Sequence, residues 1–227
     1  MSLLDSRLET VLSLLPQDCI LLDIGTDHCK LPAEGILRGR LAGAYAADVR
    51  QGPLDAAKKQ LNALGLSARI PLFLSDGLKT VPTAVLEEVT AVAVAGMGGE
   101  LIESIMTAAP VEPPLWVLQP MSAIYELLDS LAQKGYTVVG GALARDGEKF
   151  YRVFAVQKTG TPYPPDYFGC ILKDPLCLSY LEKEERRTET ALAGLRSAKE
   201  PDQTRIADAE QLLDKIRKAK DDCTRNL

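Results

Sequence analysis

Histidine occurs once in 227 residues, and none of the five cysteines, Cys19, Cys29, Cys170, Cys177 and Cys223, forms a Cys-x-x-Cys pair. No zinc spacing can be assembled from that set, so no metal is expected and the thiols read as those of a reduced cytosolic enzyme. Long apolar runs are missing too. Pro, Gly or charge interrupts each one well short of the roughly 20 residues a membrane span needs, so no membrane partner is expected. A basic excess is equally absent: the net charge of −5 argues against indiscriminate binding to nucleic acid, although a local basic surface can survive in an acidic protein. The start, MSLLDSRLETVLSLLP, lacks the basic region and the small-residue cleavage site of an export signal and reads as the first helix of a cytoplasmic protein.

What is present is ample apolar residue, 46% of the chain, enough to bury a sizeable core in one large domain or in one domain plus an appendage. Five segments repeat one grammar: a short run of Ala, Val, Leu or Ile ends in Gly, Asp or Pro and gives way to a helical pattern. They are CILLDIG (19–25), GAYAADV (43–49), IPLFLSDG (70–77), AVAVAGMGG (91–99) and LWVLQPM (115–121). Continuous rather than alternating hydrophobicity predicts strands covered on both faces. Leu54, Ala57, Leu61 and Leu64, then Ile124, Leu127, Leu128 and Leu131, keep the helical spacing that supplies the covering layers. The fold class is therefore α/β, a doubly wound Rossmann-like sheet. A sixth segment, YTVVGGALARDGEKFYRVFAVQK, reads as two strands joined at Asp-Gly. Five parallel strands plus a terminal antiparallel hairpin is the chain order of class I methyltransferases and favours S-adenosylmethionine over NAD as cofactor.

The sheet domain is expected over 1–160 and an ordered linker over 161–175. A helical hairpin is expected over 176–227, its two helices each about 20 residues and so roughly 30 Å long, parted at Pro201 and Asp202. Residues 181–227 carry 11 basic and 11 acidic side chains, leaving 15 basic and 20 acidic in 1–180. The hairpin is thus neutral and densely charged, and the excess negative charge lies before it.

Ligands of such sheets bind at the carboxyl ends of the strands. There Asp23 and Gly25 end the first strand, where a carboxylate can receive an ammonium group or cap backbone amides. Asp48 ends the second, placed to accept from ribose hydroxyls or to close a turn. Asp76-Gly77 ends the third, facing an adenine amino group or forming a type I turn. The fourth runs into Ala95-Gly96-Met97-Gly98-Gly99 before a helix start, bare backbone that lets a flat substrate approach or lets strand and helix pack tightly. Gln119, before Pro120, can read a base edge or cap its loop.

LDIGTDHCKLP, ADVRQGPLDAAK, DGL, AGMGGELI, LQP and GEKFYRV together resemble the bacterial tRNA (adenine(22)-N1)-methyltransferase family, TrmK, over the whole chain. The loop after the first strand is poorer in glycine than methyltransferase loops in general, with Thr26, Asp27 and His28 after Gly25, and AGMGG stands where many amino methyltransferases carry Asn-Pro-Pro-Tyr. The resemblance implies S-adenosyl-L-methionine as cofactor, tRNA as partner, and methylation of N1 of adenine 22 by a monomer or weak dimer. It implies cofactor contacts from Asp23, Gly25, His28, Asp48, Asp76, Gly77, Ala95, Gly96 and Met97, with His28 alternatively orienting Asp27 or serving as a satisfied turn residue. Substrate contacts fall to Gly98, Gly99, Gln119, Pro120 and Lys149, and Asp27 becomes the catalytic residue, accepting an N6 proton or stabilising the developing charge; the alternative for Asp27 is an N-cap of the helix near Leu31. Lys30, Arg38, Arg40, Lys149 and Arg152, with the hairpin cations, are candidates for phosphate contacts. Two rivals stand beside this reading: a class I methyltransferase acting on a small molecule or a protein, and a non-catalytic cofactor-binding relative.

Overall fold

The apolar runs become a seven-stranded sheet: β1 (Cys19–Ile24), β2 (Leu41–Asp48), β3 (Leu72–Leu74), β4 (Ala91–Gly98), β5 (Trp116–Ser122), β6 (Tyr136–Asp146) and β7 (Lys149–Lys158). In the computed structural model, which describes residues 2–160, 162 and 164–225, the strand order is β3-β2-β1-β4-β5-β7-β6. β1 pairs in parallel with both β2 and β4, so the order reverses between them and opens a crevice at their carboxyl ends. β7 pairs antiparallel with β5 and with β6. The β6–β7 turn is the expected tight one, Asp146 facing Lys149 across Gly147, whose φ of 55° suits a primed turn.

Helices α1 (Ser6–Leu14), α2 (Lys30–Leu37), α3 (Gln51–Ala63), α4 (Thr83–Glu88), α5 (Gly99–Thr107) and α6 (Ile124–Gln133) accompany these strands. The first starts where Asp5 accepts a 2.8 Å hydrogen bond from the Leu8 amide. Leu21, Leu22, Val94, Val117 and Leu118 are fully buried, each contributing about 1.5–3 kcal/mol by leaving water. β3 is shorter than its apolar run predicts: it lies at the sheet edge, paired only with β2, and Leu74 is exposed.

The chain divides into two compact units, Met1–Pro165 and Asp166–Leu227. The second begins with a 3₁₀ turn at Gly169–Ile171 and holds α7 (Cys177–Arg196) and α8 (Gln203–Arg225). Of the expected linker over 161–175, residues 161 and 163 lie outside the described residues, as do 226 and 227 of the hairpin. Asp202 caps α8 by accepting from the amides of Thr204 and Arg205 at 3.0 and 3.1 Å. Pairs Arg196–Glu210, Arg217–Glu189 and Lys220–Glu185 show that α7 and α8 run antiparallel, with Leu192, Ile206 and Leu213 between them. No helix among the described residues is long and apolar enough to cross a membrane.

Candidate functional site

A cleft of about 360 Å³ opens where the strand order reverses, lined by Ile24, Gly25, Asp48, Val49, Arg50, Ser75, Asp76, Gly77, Ala95, Gly96, Met97, Leu101 and Ile105. It gathers the ends of β1, β2, β3 and β4, as the crevice rule requires. Gly25 turns the chain with φ 74°, and the Met97 methyl lies only 2.1 Å from where a Cβ on Gly25 would stand. Any side chain at 25 would therefore displace Met97. Gly77 is left-handed as well, at φ 59°.

The three strand-end acids differ sharply. Asp23 is buried, and loss of water pushes its carboxyl up to about 6, against weaker lowering by Thr26 and Arg7 and a small upward push from Asp48. Asp48 is buried too; one oxygen accepts from the Arg50 amide at 2.8 Å, and the other accepts no hydrogen bond among the described residues. Asp76 is exposed and paired with Lys79 at 2.5 Å.

The fourth-strand glycines divide. β4 and β5 slip register around Gly96, a bulge with φ 79° that removes its N–H from the ladder. That amide donates to the Gln119 side-chain carbonyl at 3.0 Å, and the same oxygen accepts from Arg7 Nη1 at 3.0 Å. The Gln119 amide nitrogen donates to the Pro120 carbonyl at 2.9 Å. Gln119 is fully buried and Pro120 is buried, so neither presents itself to a substrate as expected; Gln119 instead satisfies the bulge. Gly99 is also corrected: a Cβ there would stand 2.5 Å from the Ala123 carbonyl oxygen, so this glycine serves helix-to-loop packing. Gly98 has looser surroundings, its nearest neighbour being the Ser122 hydroxyl at 3.2 Å.

Asp27 and His28 sit on the loop between Gly25 and α2, outside the lining of the cleft. Asp27 is 79% exposed, with His28 Nε2 at 3.4 Å. Asp27 does not cap α2, since Cys29 is the N-cap and makes no side-chain capping bond. Both His28 and Cys29 adopt left-handed backbone, an uncommon succession for non-glycine residues. Burial pushes the Cys29 thiol up to about 12, which removes it as a nucleophile.

The expected phosphate contacts also thin out. Arg38 is spent on Glu9 and Glu34, Arg40 on Gln17 and the Leu15 carbonyl, and Arg152 is buried in β7 with its guanidinium 5.8 Å from the Phe154 ring. Lys149 is exposed, and because β7 runs antiparallel to β5 it lies beyond the carboxyl end of that strand, on the side of the cleft. Sequence reasoning missed Arg7, Ile24, Val49, Arg50, Ser75, Leu101 and Ile105; adjacency to the strand-end acids could have found Ile24, Val49, Arg50 and Ser75, whereas nothing local marks Arg7.

Residues 4–154 match the methyltransferase-domain family. The tRNA (adenine(22)-N(1))-methyltransferase of Bacillus subtilis is 30% identical over 157 residues, 68% of this chain and 65% of that protein; the chain thus aligns with slightly under two thirds of that relative. A Streptococcus pneumoniae protein provisionally described as a tRNA (m1A22) methyltransferase superposes with a TM-score of 0.80 at 30% identity, covering 96% of this chain and 99% of its own. The same relative in complex with S-adenosyl-L-methionine gives 0.79 at 28% identity over 96% and 99% of the two chains. A methyltransferase domain, the mixed seven-stranded sheet and the terminal pair of helices meet in this one chain, which belongs to the tRNA (adenine(22)-N1)-methyltransferase family, TrmK.

Proposed function

We propose that the cleft binds S-adenosyl-L-methionine and that the protein methylates N1 of adenine 22 in tRNA, in the cytoplasm, where its five free thiols stay reduced. The observation that carries this reading is the cleft itself, which brings a buried acid with one spare oxygen, Asp48, beside the exposed apolar side chains Val49 and Leu101 and the open backbone of Gly96. That set fits a nucleoside: a carboxylate for ribose hydroxyls, apolar surfaces for the faces of a purine, and glycine backbone where a ligand must come close. Asp76, in the lining, takes the exocyclic amine, and Asp23, buried in β1 two residues before Gly25, takes the ammonium. Bound there, S-adenosylmethionine supplies an electrophilic methyl group on a sulfonium. Adenine N1 brings its own lone pair, so the protein has no covalent intermediate to form and its work is positioning.

N1 lies on the Watson–Crick edge, so the base must leave its stack to reach the cleft. Asp27, exposed and next to His28, is placed to meet an incoming substrate and to take the proton that the methylated base sheds from N6. Lys149 lies where it can meet the phosphate backbone. The test is methyl transfer from labelled cofactor to unmodified tRNA transcripts carrying adenine or guanine at position 22. Only the adenine transcript should yield N1-methyladenosine, and Asp27→Asn should lower turnover by about 10²- to 10⁴-fold with cofactor affinity unchanged. An unlabelled adenine transcript despite bound cofactor would overturn the substrate; full turnover by Asp27→Asn would overturn the proton acceptor.

A further inference from the structure

β4 and β5 slip out of step twice at their carboxyl ends. Ala95 faces Gln119, Met97 faces Pro120 and Gly98 faces Ser122, so Gly96 is an extra residue on β4 and Met121 an extra residue on β5. The second bulge undoes the shift made by the first. Bulges re-aim side chains beside active sites, and each of these has a visible product. Gly96 puts bare, left-handed backbone into the lining of the cleft. Met121, on the adjoining strand, is left 54% exposed.

One buried side chain serves both bulges. The Gln119 carbonyl accepts from the Gly96 amide at 3.0 Å, and its amide nitrogen donates to the Met121 sulfur at 3.4 Å as well as to the Pro120 carbonyl. A thioether is a weak acceptor, so this contact sets the direction of the Met121 side chain more than it adds stability. The chain then leaves β5 through Ala123, whose φ of 52° is left-handed and which makes no side-chain capping bond. A non-glycine residue keeps such a conformation only where its surroundings over-determine it. A single exposed apolar residue is ordinary on a protein surface; what sets Met121 apart is the fixed mount that presents it.

We propose that Met121 is the platform for the acceptor base: one face of the flipped adenine lies against its thioether while N1 meets the methyl group. The role rests on the tRNA reading proposed above. The cleft gathers the ends of β3, β2, β1 and β4. With the cofactor's nucleoside against Asp48, Val49 and Asp76, its sulfonium falls towards β1 and β4, and the next strand end in order is that of β5. A base drawn from its stack loses its neighbours and needs an apolar surface in exchange. Among the described residues no aromatic ring lines the cleft to supply one. A polarizable sulfur against a ring is a favourable contact, and a neutral one does not repel the base as methylation makes it cationic. Lys149, beyond the same strand end on the neighbouring β7, stands on the side from which that nucleotide's phosphate arrives.

The experiment compares the native full chain with Met121→Ala and Met121→Phe, measuring kcat/KM on an unmodified tRNA transcript and S-adenosylhomocysteine affinity by calorimetry. Met121→Ala should lower kcat/KM by about 5- to 100-fold, the range of one lost base-stacking contact, with cofactor affinity unchanged. Met121→Phe, which offers a flat apolar surface again, should stay within about three-fold of native. A second readout needs no turnover: a transcript carrying 2-aminopurine at position 22, bound with S-adenosylhomocysteine, should brighten on the native protein as the base leaves its stack and be quenched on Met121→Trp, whose indole would lie against it. Full activity of Met121→Ala, equal losses in the Ala and Phe variants, a loss of turnover matched by a loss of cofactor affinity, or a probe as bright on Met121→Trp as on the native protein overturns the platform. A native protein that binds cofactor yet leaves the probe dark and the adenine transcript unmethylated overturns the tRNA reading, and the role of Met121 with it.

Discussion

If Asp23 receives the cofactor's ammonium as proposed, it shows what a binding site costs the fold that carries it. Its folded pKa of about 6 lies above the ordinary 3.8 because the carboxyl is out of water. Between those values the native state binds more protons than the unfolded chain, so stability falls as pH rises through the window and stays lower above it, by about 3 kcal/mol. An ionised carboxylate in a dry site also attracts an ammonium more strongly than one in solvent, which is the return on that cost. Asp23→Asn should therefore melt at a higher temperature than the native protein at pH 7.5, with the gap closing towards pH 4, while S-adenosylhomocysteine no longer raises its melting temperature. Thermal unfolding from pH 4 to 8 decides the matter: a native melting temperature that climbs steadily through the window, or a variant less stable at pH 7.5, would show that the burial carries no penalty.

At the scale of elements, the joint between β4 and α5 explains which glycines are dispensable. Gly99 opens α5 against the backbone of residues 122 and 123, and backbone cannot rotate away from a methyl group; Gly98 faces only the Ser122 side chain and has ordinary extended dihedrals. Gly99→Ala should cost about 1–3 kcal/mol in urea unfolding, as overpacking does, while Gly98→Ala stays within about 0.5 kcal/mol of native; equal losses would mean that the joint repacks freely. The five parallel strands, the closing hairpin and the acids at three strand ends were legible in the sequence, because continuous apolar runs ending in Gly or Asp are what a sheet covered on both faces requires. The joint itself was not. A bulge at Gly96 exists only through pairing with β5, and Gln119 acquires its task only once that bulge leaves an N–H without a ladder partner. Arg7 was hidden for a related reason: the residue it meets lies 112 positions away, beyond any periodicity. For the edge strand β3, the apolar run overstated its length, since a strand with one neighbour has half the pairing to hold its ends.

If the protein acts on tRNA as proposed, the whole molecule must bring a polyanion to a chain of net charge −5, and where its cations remain unspent matters more than how many there are. Arg38, Arg40 and Arg152 are committed inside the sheet unit. In the hairpin, Arg196, Arg217 and Lys220 are held by Glu210, Glu189 and Glu185, and Lys215 lies 4.2 Å over the Tyr167 ring. Exposed pairs of this kind add little to stability, but each occupies a charge that would otherwise meet a phosphate. Arg186, Lys199, Arg205 and Lys218 make no ion pair among the described residues, which leaves them as the hairpin's free cations. If the hairpin holds the tRNA, replacing these four with Gln should weaken tRNA binding and flatten its dependence on salt, by about 0.7–0.9 in the logarithmic slope for every phosphate no longer neutralised, with cofactor affinity untouched. The same four replacements with an unchanged slope would assign tRNA binding to the sheet unit alone, and would make the hairpin's balanced charge a means of staying soluble rather than of gripping RNA.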